Sequence, residues 1–134
     1  MSCKSEILAV NTITGTAIAD GGTYVPTSVI RRFGQNVQLA GDGVQVSGAG
    51  YYAVTATATV ISTAAAIIKA TVLKDGAPIP GATASVSAAA GDVVTLPLST
   101  MVRQNCDCDV SNITVQISGG ATTSQNLSIR VSKE

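Results

Sequence analysis

From Tyr52 onward, Val54, Ala56, Ala58 and Val60 are apolar while Thr55, Thr57 and Thr59 interleave between them. That period of two predicts a strand with two distinct faces. The alternation returns toward the C-terminus, where Ile113, Val115 and Ile117 alternate with Thr114 and Gln116, and Leu127, Ile129 and Val131 alternate with Ser128 and Arg130. Val94, Leu96 and Leu98 form one face of a longer strand, and Pro97 within it has no N–H for a ladder, which predicts a sheet edge or a bulge. Ile68, Ala70 and Val72 lead into Asp75-Gly76, and Ala82, Ala84 and Val86 begin the return after Pro78-Ile79-Pro80-Gly81. This pair reads as an antiparallel hairpin with a longer loop. Ile7 to Val10 opens the series, and Val25 to Ile30 and Val37 to Leu39 are shorter strands. Alanines between Ser62 and Ala70 can support a helical turn, but β-branched Ile67 and Ile68 and the surrounding period of two favour strand.

Turn signals punctuate these runs at Asp20-Gly21-Gly22, Gly41-Asp42-Gly43, Gly48-Ala49-Gly50, Lys74-Asp75-Gly76, Ala90-Gly91-Asp92 and Gly119-Gly120. Short strands with frequent turns predict an all-β antiparallel sandwich or barrel of about eight to ten strands. The 134 residues fit one domain at 7–134 behind a polar segment at 1–6. Periodicity does not choose among a jelly roll, an immunoglobulin-like sandwich and an up-and-down barrel. The missing Trp and the lack of a Cys-to-Cys framework disfavour the immunoglobulin class.

Gly48-Ala-Gly-Tyr-Tyr-Ala-Val-Thr-Ala-Thr57 resembles the Gly-x-Tyr-x-Phe motif of the tumour necrosis factor and complement globular-head jelly rolls, with Gly50, Tyr52 and Val54 in the three places. Val54 stands where animal members carry Phe. With Val29-Ile-Arg-Arg-Phe-Gly34, the Gly41-Asp-Gly43 turn, Leu73-Lys-Asp-Gly76 and Asn126-Leu-Ser-Ile-Arg-Val-Ser-Lys133, the chain is similar to small jelly-roll proteins of phages and prophages, including head-fibre and decoration proteins. The resemblance covers roughly residues 7 to 133. It implies a sandwich of about ten strands whose inner sheet packs against two copies of itself around a threefold axis.

Composition points the same way. If Tyr52, Val54, Ala56, Ala58 and Val60 face the interior, then Tyr51, Ala53, Thr55, Thr57 and Thr59 face outward, and that second face carries no charge. Small, neutral and β-branched side chains pack against a neighbour with little desolvation or rotamer cost, so these five residues are the candidate contact face between subunits. The alternative is an ordinary Thr-rich solvent face. Closed symmetry favours a ring over an open array, and the choice of three copies comes from the resemblance.

Eight basic and eight acidic residues cancel and are scattered singly apart from Arg31-Arg32, so no basic stripe exists for a nucleic acid. Arg31 and Arg32 fall on opposite faces of a strand and read as ion-pairing residues between subunits. Tyr24, beside Val25-Pro26, reads as a cap on one end of the sandwich. No apolar run approaches a bilayer span, and Met1 to Glu6 lacks the regions of a signal peptide. Synthesis in the bacterial cytoplasm without membrane insertion is expected.

Histidine is absent, which excludes Ser-His-Asp and Cys-His catalysis and every His-containing metal site. Asp42, Asp75 and Asp92 each adjoin Gly, where Asp serves turns through backbone hydrogen bonds. No phosphate-binding or dinucleotide fingerprint is present. The one odd constellation is Cys106, Asp107, Cys108 and Asp109 in a polar loop. Three copies around an axis would offer thiolates and carboxylates to a metal ion, or form disulfides between subunits; the plainer alternative is a solvated loop with reduced thiols and no cofactor.

These readings converge on a non-enzymatic homotrimer, a head fibre or capsid decoration located in a virion. Its partners would be copies of itself, a capsid or other virion protein, and a host surface glycan or protein. The alternative is a bacterial cell-surface or spore-coat adhesion module of the same fold.

Overall fold

The apolar half of each alternating run turns toward one shared core. A computed structural model describes residues 5–105 and 110–133, which contain twelve strands and no helix. In chain order these are β1 (Glu6–Asn11), β2 (Ala17–Ile18), β3 (Gly22–Thr23), β4 (Ser28–Phe33), β5 (Val37–Ala40) and β6 (Gly43–Ser47). The longer strands follow: β7 (Gly50–Ser62), β8 (Ala66–Lys74), β9 (Ala77–Ala88), β10 (Val93–Gln104), β11 (Val110–Ser118) and β12 (Thr122–Lys133). One antiparallel sheet runs β10-β7-β12-β1-β4, with β2 attached to β12; the other runs β5-β6-β11-β8-β9, with β3 attached to β11. Below they are the first and the second sheet. Consecutive strands pair only in the hairpins β5-β6 and β8-β9, and the other links between long strands cross from sheet to sheet, as in a jelly-roll sandwich.

Val54, Ala56, Ala58, Val60, Leu127, Ile129 and Val131 of the first sheet meet Ile68, Ala70, Val72, Ile113, Val115 and Ile117 of the second in one buried cluster. Along one row of the first sheet, Leu98, Ala56, Ile129 and Ala9 lie side by side, so large and small side chains alternate across strands. That alternation lets the opposing sheet interdigitate. Tyr24 is buried at one end: its hydroxyl accepts from the Gln125 N–H at 3.1 Å and reaches the Thr59 carbonyl at 3.4 Å. Burial raises its pKa above the ordinary tyrosine value, which keeps the hydroxyl protonated as a donor.

Four expectations change. The strand placed at Val25 to Ile30 begins at Ser28 and runs to Phe33. Residues 24–26 cross between sheets: the Tyr24 N–H donates to Val115 O of the second sheet, Asn11 Nδ2 of the first donates to Val25 O, and Pro26 has no N–H to place in a ladder. The hairpin after Val72 has no long loop, because Lys74 pairs with Ala77 and only Asp75-Gly76 intervenes. Both residues have positive φ (52° and 83°), as a two-residue type I′ turn requires. Pro78 and Pro80 lie inside β9, tolerated because β9 is a sheet edge, and a register shift between Thr71 and Leu73 absorbs the irregularity. A further strand, β6, carries Val44 and Val46 fully into the core from a stretch too short for its period to register. With the two-residue β2 and β3, the described strands number twelve instead of eight to ten.

Pro97 meets its expectation: it lies on β10, an edge of the first sheet, opposite Thr57. In the segment from Ser62 to Ala70, Ser62 ends β7, residues 63–65 form a bend, and β8 begins at Ala66.

Gly119 has φ 97°, and a Cβ there would sit 1.9 Å from the Ile67 carbonyl oxygen. Gly119→Ala therefore strains the backbone and forces β8 and β11 apart at their joined ends. Urea unfolding is expected to show a loss of roughly 2–3 kcal/mol, within the range for overpacking plus an unfavourable φ. A change below about 0.5 kcal/mol would contradict this placement of the turn.

Candidate functional site

Because side chains alternate across a pleated strand, each sheet has an outer face, and the two differ in chemistry. On the second sheet that face presents Gln45, Asn112, Thr114, Gln116, Lys69 and Ser85, and the Gln38 and Gln45 side-chain amides bond to one another. It is a mainly polar surface, with Ile67 and Val110 exposed on it near the starts of β8 and β11.

The first sheet is different. Tyr51, Ala53, Thr55, Thr57 and Thr59 all lie on the outer face of β7, as expected, while Tyr52, Val54, Ala56, Ala58 and Val60 are buried beneath. Register brings further residues beside them. Met101 and Ser132 flank Ala53; Ser99 and Arg130 flank Thr55; Pro97 and Ser128 flank Thr57. On the next strand, Glu6, Leu8 and Val10 continue the face, and beyond them come Phe33 and Arg31 of β4. Of the nine large apolar residues exposed among the described residues, register places four on this face, Met101 (51%), Val93 (58%), Tyr51 (49%) and Phe33 (39%), against Ile67 and Val110 on the outer face of the second sheet. Apolar exposure gathered on one face marks a contact surface better than scattered single residues do.

The expected absence of charge holds on β7 and fails on its neighbours. Arg130 Nη2 donates to Glu6 Oε2 at 2.7 Å across the face. Hydrogen bonding from Arg130 lowers the Glu6 pKa, slight desolvation opposes this, and the charges of Arg130 and Arg31 lower it further. The Arg31 guanidinium lies 4.9 Å from the centroid of the Phe33 ring, and that of Arg103 lies 5.8 Å from the Tyr51 ring. A shallow depression of about 190 Å³ between β7 and β12 is lined by Ala53, Thr55, Arg130 and Ser132. Arg32 points the other way, its Nε donating to Val37 O at 2.6 Å, so the two adjacent arginines do separate.

Sequence alone finds the β7 residues because their alternation is local. It misses Glu6, Met101 and Arg103 as parts of the same face, since strand adjacency joins residues as far apart as Glu6 and Arg130, 124 positions along the chain.

The carboxylates in turns serve the backbone. Asp75 Oδ1 accepts from the Asn112 N–H and Asp92 Oδ2 from the Ala89 N–H, both at 2.9 Å. Asp42 and Asp75 line one cleft on the second sheet with Asn112 and Thr114, without a thiol or a basic group among its lining residues. Cys106, Asp107, Cys108 and Asp109 lie outside the described residues. Gln104 and Ser111, which bracket them, are buried, and Ser111 Oγ donates to Gln104 Oε1 at 3.1 Å. Among the described residues no group of three or more Cys, Asp or Glu is arranged to hold a metal ion, and no helix is long and apolar enough to cross a membrane.

No protein-family model matches this chain. No curated protein matches it in sequence. Solved structures do match it in fold. Murine APRIL at pH 5.0 superposes with a TM-score of 0.72 at 15% identity, over 98% of this chain and 99% of that one. Eiger TNF from S. frugiperda gives 0.68 at 12% identity, over 98% and 92%. The PRD1 vertex protein P5 gives 0.56 at 14% identity, over 99% of both chains. At these identities the likeness is one of fold, and the fold is a jelly-roll sandwich of the tumour necrosis factor type.

Proposed function

We propose that this chain is a non-enzymatic structural protein of a phage or prophage particle, a head fibre or capsid decoration, and that it assembles as a homotrimer through the outer face of its first sheet. The observation that carries the assembly is the contrast between the sheets: one outer face is mainly amide and hydroxyl with Ile67 and Val110 as its exposed apolar residues, the other gathers Met101, Val93, Tyr51 and Phe33 around small β7 side chains. Removing that apolar area from water is the driving force, and the short side chains between lose little rotamer freedom on contact. Threefold packing is what the resemblance to tumour necrosis factor-type jelly rolls implies. The fold shared with the PRD1 vertex protein supports a place in a particle. Loops at the ends of the sandwich would then be free to meet a capsid protein on one side and a host glycan or protein on the other.

Two measurements test this. Sedimentation equilibrium of the pure protein is expected to give three times the 13.4 kDa of one chain. Mass spectrometry of purified particles from the source phage or induced prophage is expected to find the chain at a fixed ratio to the capsid protein. Its recovery from the cell or spore surface and not from particles would overturn the virion reading in favour of an adhesion module.

A further inference from the structure

Amide side chains on the outer face of the second sheet satisfy one another or the backbone: Gln38 bonds Gln45, and Gln116 Nε2 donates to Gly21 O at 3.2 Å. One group of polar side chains there does not. Two hairpin turns flank β11 at the same end, Gly41-Asp42 between β5 and β6 and Asp75-Gly76 between β8 and β9, and an open cleft of about 520 Å³ lies between them. Asp42, Asp75, Asn112, Thr114 and Thr23 line it. Leu73 lines it too, paired opposite Thr114, outside the core cluster and 8% exposed. Among the described residues, the Asp42 carboxylate, the Asn112 side-chain amide and the Thr23 and Thr114 hydroxyls make no hydrogen bond, and Asp75 uses only Oδ1.

Both turns are pinned to β11. The Asp75 N–H donates to Asn112 O and Asp75 Oδ1 accepts from the Asn112 N–H, each at 2.9 Å. On the other side, a Cβ at Gly43 would sit 2.0 Å from Ile113 O, so glycine is what lets the β5-β6 turn approach this closely. The polar groups are therefore held in place before a ligand arrives, which reduces the ordering cost of binding. Two carboxylates, with no basic group among the described lining residues, repel an anion. Sugar hydroxyls both donate and accept: carboxylate oxygens accept from them, Asn112 Nδ2 donates, and the threonines do either. The C–H face of a ring suits Leu73. A bare cation would use neither the amide donor nor the leucine.

We infer that this cleft binds one non-acidic sugar ring, neutral or amino, as a unit of a surface glycan. The inference rests on the host-glycan contact proposed above and is independent of how copies assemble, since the cleft belongs to one chain and lies on the sheet away from the proposed contact.

The test is a titration followed by ¹H-¹⁵N NMR, using glucose, galactose, mannose and glucosamine against glucuronate and galacturonate, with calcium chloride alone as a separate arm. At least one neutral or amino sugar is expected to shift the backbone amides of Asn112 and Thr114 saturably, and the two uronates to leave them in place. The variant Asp42→Asn/Asp75→Asn keeps the turns, because asparagine tolerates the positive φ of residue 75 (52°) and retains an acceptor for the Asn112 N–H. It is expected to bind that sugar about tenfold more weakly, the scale of losing hydrogen bonds to charged groups, and to exclude uronates less. Unmoved Asn112 and Thr114 amides with every sugar, uronates binding as well as their neutral counterparts, a variant that binds like wild type, or a response to calcium alone would each overturn the inference. Sedimentation of the same samples keeps the two readings apart: a trimer that binds no sugar removes the cleft and leaves the assembly, and a monomer that binds sugar does the reverse.

Discussion

Thr57→Arg is expected to convert the assembled protein into a folded monomer. Thr57 sits mid-strand on β7, between Pro97 of β10 and Ser128 of β12, with its side chain on the outer face of the first sheet. In a single copy it is only partly covered, so the long arginine side chain can lie along the sheet with its head in water, and the fold should change by less than about 0.5 kcal/mol. Against another copy the same guanidinium is desolvated on a face where Arg31, Arg103 and Arg130 already stand. An uncompensated charge in such a place costs about 3–5 kcal/mol. Association should weaken by at least two orders of magnitude while the circular dichroism spectrum and thermal midpoint of the monomer remain. Light scattering across concentration measures this, and a Thr57→Arg protein that keeps the wild-type mass would show that β7 is not in the contact.

The second large effect concerns the core. Ile129→Ala should destabilise each subunit by about 4 kcal/mol, in the upper range for truncating a fully buried aliphatic residue. The reason lies in its neighbours: Ile129 is fully buried on the central strand β12, and its partners on either side are Ala9 and Ala56. Neither alanine can extend into the space left, so the cavity stays open. A thermal midpoint lower by roughly 10–15 °C is the corresponding readout for a domain of this size. Because the oligomer couples folding to association, the comparison belongs in the Thr57→Arg background, where the protein is monomeric. A loss below about 2 kcal/mol there would mean that the row of alternating large and small residues is packed more loosely than described.

How much of this was legible in the sequence depended on the length of each pattern and on where its consequence lay. β7, β11 and β12 could be read directly, since each alternates over several residues and buries the apolar half on one side. Pro97 could be read as an edge residue because its missing N–H is a local fact with one structural meaning. Pro78 and Pro80 carry the same fact, yet they looked like a loop; only the sheet order shows that β9 is an edge strand able to hold them. β6 was invisible because Val44 and Val46 are too few to establish a period between two glycine turns. The candidate face was half legible. Its β7 residues follow from alternation, but the ion pair of Glu6 and Arg130 arises from β1 and β12 lying side by side, and nothing local in either strand encodes that pairing.

The claim on which the rest depends is that the outer face of the first sheet is covered by other copies of the chain. A crystal or cryo-microscopy structure of the assembled protein tests it most directly. Three copies related by a threefold axis, with Thr57 and Met101 of each in van der Waals contact with a neighbour, is the expected result. An assembly in which these side chains face solvent while the amide-rich face of the second sheet makes the contacts would contradict it.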